Sequence, residues 1–125
     1  MSHFATIQTQ IKDIVALKAA CNELGVSVLE NTEARGYSTN NQHGDYVIRL
    51  QGPYDIAVNL QPDKTYGFTT DWYAGHVEKE VGKNFGKLIQ LYGVHKAMLE
   101  AKRKGYSVMR KIQADGGIKL TLMSL

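Results

Sequence analysis

Three consecutive alternating segments constrain the fold of this chain more than anything else in it. Tyr46 to Leu50, Tyr54 to Leu60 and Tyr66 to Trp72 each set large apolar or aromatic residues against polar or small ones. A period of two is the pattern of a half-buried strand. The connecting stretches, Gln51 to Pro53 and Gln61 to Thr65, suit antiparallel hairpins. Both contain an odd number of residues, so facing is preserved from strand to strand. Tyr46, Ile48, Tyr54, Ile56, Val58, Phe68 and Trp72 therefore share a face that should meet helices. Arg49, Asp55, Ala57, Asn59, Thr69 and Asp71 share the other.

The same register predicts a row of charge. Loop 51–53 sets Arg49 opposite Asp55, and loop 61–65 sets Asp55 opposite Asp71. Directly opposed side chains lie about 5 Å apart at Cβ, and like charges there repel. The first reading is a solvent-facing charge ladder eased by water. On that reading Asp55→Asn leaves folding intact and slightly stabilises the domain. The second reading is a recognition patch for a basic or metal-bearing partner.

Around this meander the pattern is helical. Asp13 can cap a helix whose Ile14, Leu17, Cys21 and Leu24 fall on one stripe, and Gly25 supplies the stop. Residues 3–9 and 26–29 read as flanking strands, and 31–45 as a bend or mobile loop. A long helix is expected from Glu78 to Lys104, with Val81, Phe85, Leu88, Tyr92, His95 and Leu99 along one stripe. Its interior glycines each cost about 1 kcal/mol relative to alanine, so packing must hold it. A last hairpin turns through Ala114 to Gly116, setting Ile112 opposite Ile118 and Val108 opposite Leu122. The expectation is one α+β domain over residues 1–125, an antiparallel sheet packed against two helices in the order β-α-β-β-β-β-α-β-β.

Composition narrows the function classes. Hydrophobic residues make up 43% of the 125 and charged residues 22%, a globular balance that argues against disorder. Cys21 is the single cysteine and cannot form an internal disulfide, which suits a reducing compartment. No apolar run approaches the ~20 residues of a membrane span, and the N-terminus lacks a signal-peptide layout. A cytoplasmic protein with no membrane partner is expected.

The net charge of +3 is too small to imply nucleic acid by itself. Lys102, Arg103, Lys104, Arg110 and Lys111 nevertheless crowd the end of the long helix and the next strand. Their first reading is a helix C-terminus favoured by the dipole, followed by a solvated strand. Phosphate loops, dinucleotide turns, C-x-x-C pairs and nucleophile elbows are absent from the sequence. His3, His43, His76 and His95 lack metal-site spacing. His95 reads as a boundary histidine before a catalytic one, and Cys21 as a small hydrophobe.

Several stretches resemble one family. They are Met1-Ser-His-Phe with Thr6-Ile-Gln-Thr, Leu17-Lys18 with Leu24-Gly25, Arg35-Gly36-Tyr37, Tyr54-Asp55-Ile56, Asp71-Trp72, Tyr92 with His95, and Asp115-Gly116 before Ile118-Lys119-Leu120. Together and in order they resemble the hypothetical chloroplast reading frame thirty-five family of cyanobacteria and plastids. Segment 73–87, glycine-rich and carrying His76 and Lys79, departs from that family's pattern. The resemblance implies a soluble protein of phototrophs or their phages, in the bacterial cytosol or plastid stroma. It implies no reaction, because the family has none assigned.

Three functions are ranked from these observations. A non-catalytic accessory protein that binds another protein comes first, with self-association through the long helix or a sheet edge included. Arg49, Asp55, Asp71 and His95 are its candidate binding residues. A nucleic-acid-binding module using segment 102–111 comes second. An enzyme of unknown type using Asp55, Asp71 or His95 comes third. No catalytic residue, metal ligand or cofactor is assigned.

Overall fold

The computed structural model describes residues 4–124. His3 lies outside the described residues. The main sheet is antiparallel throughout and contains β1 (Phe4–Gln8), β2 (Ser27–Ala34), β3 (Gln42–Arg49), β4 (Ile56–Leu60) and β5 (Tyr66–Asp71), ordered β1-β5-β4-β3-β2. Helix α1 (Ile14–Leu24) follows β1, while α2 (His76–Val81) and α3 (Gly86–Arg103) follow β5. A separate two-stranded hairpin, β6 (Tyr106–Ile112) and β7 (Ile118–Ser124), closes the chain. This is the α+β order that the alternation and helical stripes predict.

Register follows the hairpin loops as expected. Ile48 pairs with Ile56, and Ile56 with Thr70. The paired residues stop one step short of the charge row, where Arg49 Nε lies 3.0 Å from Asp55 Oδ2. Ile48, Ile56, Val58 and Phe68 are fully buried against Leu17, Ala20, Val81, Phe85 and Leu88 from the helices. Phe85 is edge-on to Phe68 at 5.1 Å and tilted against Trp72 at 4.8 Å. Such aromatic pairs add about 1 kcal/mol each beyond the area they bury.

Helix α1 begins and ends as its sequence dictates. Asp13 Oδ1 accepts from the amides of Val15 and Ala16 at 2.9 and 3.2 Å, and Gly25 closes the helix with a φ of 78°. Tyr92 of α3 reaches the same N-terminus, where its hydroxyl accepts from the amides of Lys12 and Asp13 at 3.3 and 3.1 Å. Two elements far apart in sequence are joined there by one phenol.

Two expectations are corrected. The single helix from Glu78 to Lys104 is broken. Gly82 takes φ 84° and ψ 167°, a 3-10 turn runs Lys83–Phe85, and α3 restarts at Gly86. A Cβ on Gly82 would lie 2.9 Å from the amide nitrogen of Lys87, so only glycine lets the second helix start so close behind the first. The apolar stripe survives the break because Val81, Phe85, Leu88 and Tyr92 all still face the core.

The second correction concerns 31–45, which is mostly paired. Thr32, Glu33 and Ala34 of β2 pair with Gly44, His43 and Gln42 of β3, leaving a connection of only 35–41. Asn31 has a positive φ of 47°, and Gly44 is too crowded to carry a Cβ. With these two positions bent, the far end of the ribbon doubles back over the outer face of the sheet. Ala34 there buries Val47 and Ala57 in a small second cluster.

Candidate functional site

The fold-back brings Arg35, Gly36 and Tyr37 onto the predicted charge row. Asp55 is 1% exposed and Asp71 0%. The expectation of a solvent-facing ladder is therefore corrected: the ribbon tip roofs this end of the outer face. The Asp55 amide donates to Arg35 O at 3.0 Å, in the manner of an added strand contact. The Asp55 carboxylate accepts from Arg35 N at 2.9 Å, Arg35 Nε at 2.9 Å, Arg35 Nη2 at 2.8 Å and Leu50 N at 3.2 Å. Arg35 Nη2 also donates to Gly52 O at 2.9 Å.

Arg49 Nε approaches Asp55 Oδ2 to 3.0 Å but makes no aligned hydrogen bond. Its contribution is charge rather than direction. Two half-exposed guanidiniums thus flank one buried carboxylate. A buried carboxylate is tolerated only when ion pairs and hydrogen bonds replace its water. The arrangement holds the ribbon tip to the sheet.

Asp71 fixes the same tip one strand further on. Its Oδ2 accepts from Tyr37 N at 2.9 Å and its Oδ1 from Tyr73 N at 3.0 Å. The Tyr37 and Tyr73 rings meet edge to face at 4.9 Å above it. Tyr54, buried nearby and edge-on to His76, is held protonated above the usual phenol range by burial first and then by the negative charge of Asp71. Asp55 and Asp71 are saturated with donors and roofed by the polypeptide, so neither presents a free carboxylate to a ligand.

His95 lies elsewhere. On α3 its Nε2 meets Glu23 Oε1 of α1 at 2.7 Å, while Arg110 of β6 grips both Glu23 oxygens at 2.8 and 2.6 Å. The Arg110 guanidinium foremost, with His95 assisting against burial, holds the Glu23 carboxyl down to about 2. This trio fastens the hairpin to both helices. The predicted basic group is split by it. Arg110 is committed to Glu23, whereas Lys102, Arg103, Lys104 and Lys111 remain exposed. Cys21 is fully buried, and burial pushes its thiol up to about 12, which leaves it unreactive.

The feature that sequence reasoning missed is the exposed surface of the hairpin. Among the described residues, ten large apolar side chains are exposed, and five of them (Tyr106, Met109, Ile112, Leu122 and Met123) belong to β6 and β7. Ile112 is 69% exposed and Met109 57%. Met109 and Met123 point away from α3. Ile112 and Leu122 overhang its seam, where two open clefts of about 350 and 420 Å³ lie. The sequence signal was the alternation itself: both parities of this hairpin carry apolar residues, where a half-buried ribbon needs only one.

No group of three or more His, Cys, Asp or Glu side chains among the described residues is placed to hold a metal ion. No helix among them is long and apolar enough to cross a membrane. The family described as "Protein of unknown function (DUF1257)" matches residues 20–121. "Uncharacterized protein ycf35" of Pyropia yezoensis is 33% identical over 122 residues, covering 96% of this chain and 94% of that protein. Its namesake in Guillardia theta is 28% identical over 124 residues, covering 98% and 96%. No solved structure matches the chain.

Proposed function

The chain belongs to the DUF1257 family of unknown function, and within that family we propose that it is a non-catalytic accessory protein that binds another protein through the β6–β7 hairpin. One observation carries this reading. Half of the exposed large apolar side chains among the described residues sit on two short strands from which only Ile118 packs against the main core. Contiguous exposed apolar surface marks interaction sites in soluble proteins, and Met109 and Met123 are diagonal neighbours on the outward side of the ribbon. Methionine suits such a surface because it is flexible and polarisable. The saturation of Asp55 and Asp71 supports a structural role for both over acid–base work. The algal relatives, and the resemblance to chloroplast reading frames, favour a setting in a phototroph or its phage, in bacterial cytosol or plastid stroma.

Capture from a nuclease-treated cyanobacterial lysate tests the reading, with the wild-type chain run beside the Met109→Ser/Met123→Ser double variant. Stoichiometric protein capture that the double variant loses, at unchanged thermal stability, is the expected result. Capture indifferent to the hairpin, or capture of RNA or DNA that nuclease abolishes, overturns it.

A further inference from the structure

We propose that the occupant of this hairpin is a second copy of the chain, joined through an antiparallel β7–β7 edge about a two-fold axis. This deepens the protein-binding reading and rests on it.

Among the described residues, β7 pairs with β6 alone. Its seven residues run in unbroken register from Ile118 opposite Ile112 to Ser124 opposite Tyr106. Gln113 N donates to Gly117 O at 2.7 Å, which fixes 113 and 117 as a hydrogen-bonded pair. Bonded and non-bonded pairs alternate in an antiparallel ladder, so Ile118, Leu120 and Leu122 turn their amides and carbonyls to the open edge. Soluble proteins guard such edges with proline, bulges or central charges. This strand has no proline and no bulge, its centre is Thr121, and its one charge, Lys119, lies two residues from that centre.

The edge is also self-complementary. A two-fold axis at Thr121 pairs all seven residues of β7 with their counterparts in the second copy. Leu120 then lies opposite Leu122 of the second copy, Lys119 opposite Met123, and Thr121 opposite Thr121. No like charges oppose one another, whereas moving the axis to Lys119 would set lysine against lysine. An odd shift would put the side that faces α3 in one copy against the outward side of the other. The favoured register extends the ribbon to four strands and covers Leu122 and Met123, both exposed in the single chain. A contact repeated reciprocally in this way closes as a dimer.

Sedimentation of the full chain from about 1 to about 100 μM, a range that brackets modest affinities, tests this. A reversible dimer is expected. Thr121→Lys and Thr121→Glu should each weaken association about tenfold or more by opposing like charges at the axis, and an equimolar mixture of the two should restore it. Thr121 is exposed, and unchanged thermal unfolding serves as the check on folding. A chain monomeric throughout, or a dimer that neither substitution disturbs, overturns the inference. A monomer that still loses protein capture on Met109→Ser/Met123→Ser overturns the two-fold edge alone and leaves the protein-binding reading standing.

Discussion

Arg35 holds Asp55 twice, through its own backbone amide at 2.9 Å and through its guanidinium at 2.9 and 2.8 Å. One residue thereby ties the path of the ribbon and its charge to the same carboxylate. An amide in its place removes the charge that both guanidiniums face and one of the two oxygens that accept from Arg35 and the Leu50 amide. We expect Asp55→Asn to cost about 2–4 kcal/mol, reduced from the full penalty of a broken buried pair because both arginines can rehydrate. Urea denaturation of wild type and variant measures it. A neutral or stabilised variant would contradict the roofed geometry.

The two arginines should differ in weight. Arg35 donates to Asp55, Leu50 and Gly52, whereas Arg49 offers charge without an aligned hydrogen bond. Arg35→Gln is expected to destabilise by about 2 kcal/mol and Arg49→Gln by less than about 1 kcal/mol. Equal losses in parallel denaturation curves would show that direction contributes nothing here.

Glu23 gives the fold one acid-sensitive fastening. Its carboxyl sits at about 2 in the folded chain against an ordinary value of 4.5, chiefly through the Arg110 hydrogen bonds. A lowered pKa contributes stability that is fully present above 4.5 and lost as pH falls toward 2. The site is partly solvated, so its contribution is discounted to about 1 kcal/mol and weakens with salt. The stability gap between wild type and Glu23→Gln should therefore be open at pH 6 and closed near pH 2. A gap that does not vary with pH would refute the ion-pair account.

Gly82→Ala should be among the most damaging single-methyl changes in the chain. Its φ of 84° strains any L side chain, and the added Cβ meets backbone at 2.9 Å. About 2–3 kcal/mol is expected from the combined strain. Gly93→Ala, on the open side of α3 with no atom within 4 Å, should instead stabilise by up to about 1 kcal/mol. Thermal unfolding of the pair compares the two glycines directly.

Much of this architecture was legible because local signals agreed with the final packing. Asp13 and Gly25 bound α1, and the odd loops set the registers that pair Ile48 with Ile56 and Ile56 with Thr70. The break at Gly82 was hidden because Val81 and Phe85 keep helical spacing across it. The second half of β2 was hidden because Thr32 and Glu33 lie at a solvated edge and show no apolar alternation. Burial of Asp55 depends on a contact twenty residues away in sequence, from Arg35, beyond the positive φ of Asn31. Alternation assigns a side chain to a face of the sheet, but it carries no information about what folds over that face.

The main core is built almost wholly from residues that precede the hairpin, with Ile118 of β7 packed against it. On the proposed function, folding and recognition therefore draw on largely different side chains. On that reading, substitutions at outward positions such as Met109 and Met123 alter whom the protein meets, while Arg110 and Ile118 keep the hairpin fastened to the body. Such a division would let a lineage exchange partners by small steps, each passing through a folded intermediate.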